Sequence, residues 1–160
     1  MGNDTILLIG AYIPFDDNTT YRFSQYNSTL EFIASIMEDN QDKFILLAGD
    51  FNSDLKRGKR FYNLLKDFII EHDLDCYDLM FGNECKPTYS NGNYTSHIDH
   101  IIGTRNNLNK VFKSEIIYDE SNLSDHYPVK VEIKDINTIH ESAGEKKKNS
   151  INSRGILIIL

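Results

Sequence analysis

Two short apolar runs limit what this chain can fold into more than any other feature: Ile6–Ile13 (ILLIGAYI) and Phe44–Ala48 (FILLA). Each is too short for a core helix, and each ends at a proline or a glycine, so each predicts a buried strand. Between them Phe23, Tyr26, Leu30, Ile33 and Met37 recur at spacings of three and four, which marks one face of a helix. Thr19 or Thr20 stands where a cap is needed. Strand, helix, strand at this length is a βαβ unit, which favours parallel pairing of the two strands with the helix on the sheet.

In an open α/β sheet, ligands sit outside the C-terminal ends of the strands. Gly49-Asp50-Phe51-Asn52 follows the second run directly. If the extended geometry persists, Asp50 and Asn52 leave the strand on the same side. A carboxylate there can orient or deprotonate a water, and the carboxamide can hold that water or a phosphate oxygen. The same two residues also make an ordinary Asx turn. Tyr12, near the end of the first strand, either reaches the same crevice with its hydroxyl or is a half-buried strand aromatic.

Further along, Lys56, Arg57, Lys59 and Arg60 surround Gly58. They suit contact with a phosphate backbone, or equally a solvated first turn of the next helix. That helix is marked by Phe61, Leu64, Leu65, Phe68 and His72. Leu74–Glu84 holds a short strand or turn, and Asn91-Gly92 signals a hairpin. Ser96–Ile102 reads as a strand with His97, Asp99 and Ile101 on one face and Ile98, His100 and Ile102 on the other. An ionisable Asp99 in such a strand is costly unless it is paired. His97 and His100 face opposite ways, so they are expected to be partly exposed strand histidines rather than metal ligands. Val111–Tyr118 and Tyr127–Ile133 are two more strands, with Asp125 and His126 on the loop entering the second.

A net charge of -7 over 160 residues argues against binding nucleic acid by bulk charge, while a local basic patch stays compatible. Cys76 and Cys85 lack metal-ligand spacing, so no zinc site is expected. Two cysteines make no disulfide framework, and a reducing compartment is the default. The N-terminus carries no signal-peptide pattern, and the apolar end, Gly155–Leu160, is far too short for a membrane span. The composition turns polar after Asp135, with Lys146–Lys148 in the middle. The expected division is therefore one domain over residues 1–135 and a disordered or unrelated tail over 136–160.

Tyr12 with Pro14, then Gly49-Asp50-Phe51-Asn52, then Ser96-His97-Ile98-Asp99-His100-Ile101, then Ser124-Asp125-His126, occur in an order that resembles the endonuclease/exonuclease/phosphatase superfamily. The Pro87-Thr88-Tyr89 segment followed by Ser-x-Ile-Asp-x-Ile looks most like the endonuclease domains of non-LTR retrotransposons. The resemblance implies an α/β fold, a DNase I-like four-layer sandwich. It also implies Mg²⁺ (or Mn²⁺) as cofactor and DNA as substrate. Asp50 would activate the attacking water with help from Asn52. His126 would stabilise the scissile phosphate, with Asp99 holding its imidazole. Asp125 would belong to the metal region, and Tyr12 would bond phosphate or a metal-site carboxylate.

In that superfamily an N-terminal half carries a strand with an Asn and another with the metal-binding Glu. The match here begins near residue 6. The expectation is thus a partial sandwich with the N-terminal half missing and activity compromised by that loss. That half, or a reverse transcriptase region of a longer product, would be the partner, and residence would be nuclear if the chain is retrotransposon-derived. Two other readings stay open: an inositol-phosphate or lipid phosphatase of the same superfamily, and a catalytically dead fragment.

Overall fold

The computed structural model describes residues 5–80, 86–134 and 156–159. Strand β1 (Ile6–Tyr12) runs parallel to β2 (Phe44–Asp50), in register from Ile6 opposite Phe44 to Tyr12 opposite Asp50. Helix α1 (Thr20–Glu38) makes the crossover. Its cap is Thr19, whose hydroxyl accepts the Arg22 N–H at 3.1 Å, satisfying one of the orphan donors of the first turn. The periodicity names five residues for the buried face. Tyr26, Leu30, Ile33 and Met37 are buried, and Phe23 lies at the margin with 37% exposure.

Helix α2 (Arg60–Glu71) buries Phe61, Leu65 and Phe68. Then come β3 (Leu74–Cys76), a single turn α3 (Tyr77–Met80), and a hairpin of β4 (Tyr89–Asn91) and β5 (Tyr94–Ser96). The hairpin loop is Gly92-Asn93, with positive φ (59°) at Gly92 alone, the geometry of a two-residue loop led by glycine. After β6 (Asp99–Thr104) follow a 3₁₀ turn (Arg105–Lys110), β7 (Val111–Ile116), β8 (Val129–Ile133) and β9 (Ile156–Ile159).

The first sheet has the order β1-β2-β6-β3, with β6 antiparallel to both of its neighbours. The second is antiparallel, β7-β8-β9. Two apolar clusters explain why Phe44–Ala48 does not alternate. Ile45 and Leu47 pack with α1 and α2, whereas Phe44, Leu46 and Ala48 pack with Val129, Val131 and Ile133 of the second sheet. A strand covered on both faces needs apolar residues at every position. The layers are helices, mixed sheet and antiparallel sheet.

Three expectations change. Ile6–Ile13 is not buried on both faces. β1 is the edge of its sheet among the described residues, with Leu7, Ile9 and Ala11 against the helices but Leu8 and Tyr12 exposed by 54% and 78%. Ile156–Ile159, assigned to the tail, pairs with β8 from Ile133 opposite Ile156 to Lys130 opposite Ile159. The rest of the expected tail lies outside the described residues. His97 and His100 are not partly exposed. Both are buried, and their rings stack with centroids 5.1 Å apart. The strand begins only at Asp99, so the strict alternation that put the two histidines on opposite faces does not extend back to His97.

Gly49 places the end of β2. Its φ is +154°, and a Cβ there would stand 1.7 Å from the Ala11 carbonyl oxygen across the β1–β2 pair. Only glycine lets the two strands stay paired up to Asp50.

Candidate active site

Asp50 and Asp99 are register partners on adjacent strands, β2 and β6. The chain turns immediately after Asp50. Asp50 Oδ1 accepts the Asn52 backbone N–H at 2.8 Å, and Asn52 Nδ2 donates to Asp50 Oδ2 at 3.0 Å and to the Ile13 carbonyl at 2.9 Å. Asn52 takes a positive φ of 47°, which asparagine tolerates better than most residues. The Asx turn and the functional arrangement are thus the same structure: the turn is what aims the carboxylate. Phe51 anchors it from below. It is fully buried, its N–H donates to Ile98 O at 2.9 Å, and its carbonyl accepts the Tyr26 hydroxyl at 3.0 Å.

Asp99 is held by Thr88, whose buried hydroxyl accepts the backbone N–H groups of Ile98 and Asp99, both at 3.0 Å. His126 Nδ1 lies 3.1 and 3.0 Å from the two Asp99 carboxylate oxygens. The same ring meets Tyr89 edge-on, 5.0 Å between centroids. Burial opposes charge on His126, but the hydrogen bond to Asp99 and the carboxylates of Asp99, Asp50 and Asp125 hold its pKa above the ordinary value. Burial lifts the Asp50 pKa, and Asp99 adds to this. The Asn52 N–H and the His126 charge only partly oppose the rise.

A cavity of about 720 Å³ opens over this group. Tyr12, Asp50, Asn52 and His126 line it, together with Lys59, Arg60, Tyr89 and Tyr94. Of the residues expected in the site, Tyr12, Asp50, Asn52, Asp99 and His126 are therefore brought together, Asp99 through its bond to His126. Asp125 is not. Its side chain is exposed beside His126 and does not line the cavity, while its carbonyl accepts the Ser90 N–H at 2.8 Å.

The four basic residues divide. Arg60 lines the cavity, but its guanidinium is committed to Asp16, with Nε 3.1 Å from Oδ2, and to the Thr19 carbonyl at 2.9 Å. It acts as a strut between α2 and the loop before α1. Arg57 pairs with Asp54 at 3.2 Å, and Lys56 is exposed outside the cavity. Lys59 lines the cavity and donates to the Tyr94 hydroxyl at 3.0 Å.

Sequence reasoning missed two supports. Thr88 was noticed only as part of a motif. Asp54 carried no signal beyond its place two residues after Asn52. It is buried and accepts from Ser96 Oγ at 3.0 Å, His97 N at 3.1 Å and Lys56 N at 3.0 Å. Burial opposes its charge, but these donors and Arg57 hold its carboxyl below the usual range. The result ties the loop after β2 to the start of β6.

Ligand atoms of Asp50, Asp99 and His126 all lie within 4.8 Å of one another. Both Asp99 oxygens face His126, whereas Asp50 makes no ion pair among the described residues. A raised carboxyl pKa beside a second carboxylate is the situation a cation relieves. With Asp99 and His126 committed to each other, Asp50 is the carboxylate of this group that would hold a divalent cation.

A model of the family described as endonuclease-reverse transcriptase matches residues 6–130. Among solved structures, the chain is similar to the 3′ phosphatase NExo from Neisseria bound to a product DNA hairpin. That match has a TM-score of 0.63 and 16% identity, and covers 79% of this chain and 60% of that one. It is similar to the endonuclease domain of TRAS1, a telomere-specific non-LTR retrotransposon, with a TM-score of 0.52 and 24% identity over 62% of this chain and 46% of that one. An AP endonuclease from Archaeoglobus fulgidus matches with a TM-score of 0.61 and 17% identity over 78% and 60% of the two chains. The chain spans 60% or less of the length of these three structures. At such identities the likeness shows the fold, a DNase I-like α/β arrangement.

Proposed function

The chain belongs to the endonuclease-reverse transcriptase family, and from that premise we propose that it is a phosphodiester hydrolase that uses a divalent metal ion, Mg²⁺ or Mn²⁺, to cut DNA, of the retrotransposon endonuclease type. The observation that carries this reading is the Asp99–His126 pair, bonded at 3.0 Å and set across from Asp50 by the β2–β6 register. In-line attack on a phosphodiester needs a positioned water, positive charge on the non-bridging oxygens and a dry, shaped cleft.

Asp50 orients the water and takes its proton, kept in place by Asn52. His126, charged and held by Asp99, donates to a non-bridging phosphate oxygen as negative charge builds there. Tyr12 and Lys59 contact the same phosphate or its neighbour. A bound divalent cation, held chiefly by Asp50, would supply further positive charge at the phosphate. Oxygen donors of this kind suit Mg²⁺ or Mn²⁺ better than softer metals. Asp125 stays in the proposal only as a nearby negative charge.

The test is nicking of supercoiled plasmid by the purified chain in Mg²⁺, with an Asp50→Ala/His126→Ala variant as control. Nicking that disappears in the variant supports the reading. A chain shown to be folded that leaves the plasmid intact overturns it and leaves a cleft that does not cut. Release of a terminal 3′ phosphate is a second reading, favoured by the likeness to the 3′ phosphatase NExo. A DNA oligonucleotide ending in a 3′ phosphate, assayed beside the plasmid, distinguishes the two.

A further inference from the structure

A second cluster of chemically able side chains lies in the core, away from the cleft. Cys76 ends β3, Asp78 sits in α3, His97 precedes β6 and His100 lies within it. All four are buried: Cys76 is 9% exposed, Asp78 5%, His97 4% and His100 0%. Cys76 Sγ, an Asp78 oxygen and His100 Nδ1 lie within 4.8 Å of one another. Asp78 Oδ2 is 2.7 Å from His97 Nε2 and 2.9 Å from His100 Nδ1. Cys76 Sγ is 3.1 Å from Asp78 Oδ1 and 3.3 Å from His100 Nδ1.

The tautomers are the informative part. His97 Nδ1 faces the Lys86 carbonyl at 2.8 Å, and His100 Nε2 faces the Ser53 carbonyl at 2.9 Å. A carbonyl only accepts, so each ring must place an N–H on that nitrogen. In the neutral rings the remaining nitrogens, His97 Nε2 and His100 Nδ1, then carry lone pairs, and both point at one carboxylate oxygen. Lone pair against carboxylate at these distances is repulsive unless a proton or a metal ion lies between. With the Cys76 thiol kept as the donor to Asp78, protons alone would need two imidazolium ions beside one carboxylate, a net positive charge in a dry core. A divalent ion with the Asp78 carboxylate, the Cys76 thiolate and two neutral imidazoles sums to zero. An imidazole whose far N–H is bonded to a carbonyl is also the usual arrangement behind a metal-ligating histidine.

We propose that Cys76, Asp78, His97 and His100 form a buried structural site for a transition metal of the zinc class, separate from the cleft. One thiolate, two imidazoles and one carboxylate match zinc's ligand types and its four-coordinate structural sites. Ligand atoms around zinc stand roughly 3.3–3.7 Å apart. The contacts of Asp78 with both imidazoles and of Cys76 with Asp78 and His100 are shorter, so those side chains open by about half an ångström, while His97, outside the group whose ligand atoms all lie within 4.8 Å of one another, turns inward to reach the ion. Burial and the adjacent Asp78 push the Cys76 thiol pKa up, so the metal-free site holds a thiol bonded to Asp78. The ion's own charge reverses that preference, and loading releases the thiol proton. The site would clamp β3, α3 and β6 to the Ser53 carbonyl, one residue beyond Asn52.

The experiment uses the full chain, purified without a metal-affinity tag. The measurements are metal content by elemental analysis after gel filtration in excess Mg²⁺, the absorption spectrum of the Co²⁺-loaded protein, and the melting temperature with and without a strong chelator. The expected result is one zinc per chain that Mg²⁺ does not displace. With it come a thiolate-to-cobalt charge-transfer band, the visible bands of a tetrahedral centre, and a melting temperature lowered by the chelator. Cys76→Ser should abolish the charge-transfer band, and the Asp50→Ala/His126→Ala variant should keep it. A folded wild-type chain with no stoichiometric metal, no such band and a melting temperature indifferent to chelator overturns the proposal in favour of a proton-filled network. If Cys76→Ser fails to fold, the wild-type measurements decide alone.

Discussion

Asp99 commits both carboxylate oxygens to one imidazole nitrogen, and this sets how the proposed chemistry should respond to pH. His126 has its folded pKa raised above the ordinary 6.5. The stability this adds is complete below 6.5 and is lost as pH rises through the folded value. Asp50 is also raised above its ordinary 3.8, so its ionisation, which the water-activating role requires, is delayed and costs stability as pH rises. A cation held at Asp50 pulls that carboxyl back down, so the rise belongs to the metal-free chain, and the nicking profile in Mg²⁺ should be limited on its alkaline side, falling above 6.5 as His126 loses its proton. Asp99→Asn should move the alkaline limb down towards 6.5 and lower the rate by at least tenfold, read from nicking rates across pH. Asp99 stood out because an ionisable group in an apolar strand needs a partner, whereas Asp50, Asn52 and His126 stood out only through the order of motifs that resembles the superfamily. His97 and His100 were not legible, because a two-residue period assumes a strand that continues, and this one starts at Asp99. Asp78 gave no signal, since a lone Asp in a mixed apolar and acidic stretch resembles any surface residue.

The elements themselves were mostly plain from periodicity. The α1 and α2 faces, the parallel β1–β2 crossover and the hairpin follow from local rules. β9 does not, because a four-residue apolar segment beyond a polar stretch has no local feature that names its partner. Gly49 is where an element and the site depend on one atom. Gly49→Ala would put a Cβ against the Ala11 carbonyl at 1.7 Å, so either β1 detaches or the Asp50 turn shifts. The expected loss is about 2–4 kcal/mol of unfolding free energy, measured by urea denaturation, together with loss of nicking. An unchanged midpoint would mean that the β1–β2 pair tolerates a shift there.

On the scale of the whole molecule, β1 gives this acidic chain an edge that is unpaired among the described residues and a partly apolar outer face, with Leu8 and Tyr12 open to water. Such an edge invites pairing with another copy. Leu8→Lys should reduce self-association in light scattering at high concentration and leave the unfolding midpoint within about 0.5 kcal/mol of the parent. A further consequence belongs to the pairing of Asp50 with Asp99. A two-residue slip of β6 along β2 would keep every side chain on its own face and much of the apolar burial, yet carry one carboxylate roughly 7 Å from the other. Oil-like burial thus sets the sidedness of the sheet but is nearly blind to its phase. Phase is kept by the polar fastenings at the strand ends: the Phe51 N–H on the Ile98 carbonyl, Thr88 beneath Asp99, and Asp54 across to Ser96. These small contacts act as the vernier of the site, so substitutions among them can silence a protein that still looks folded by every bulk measure.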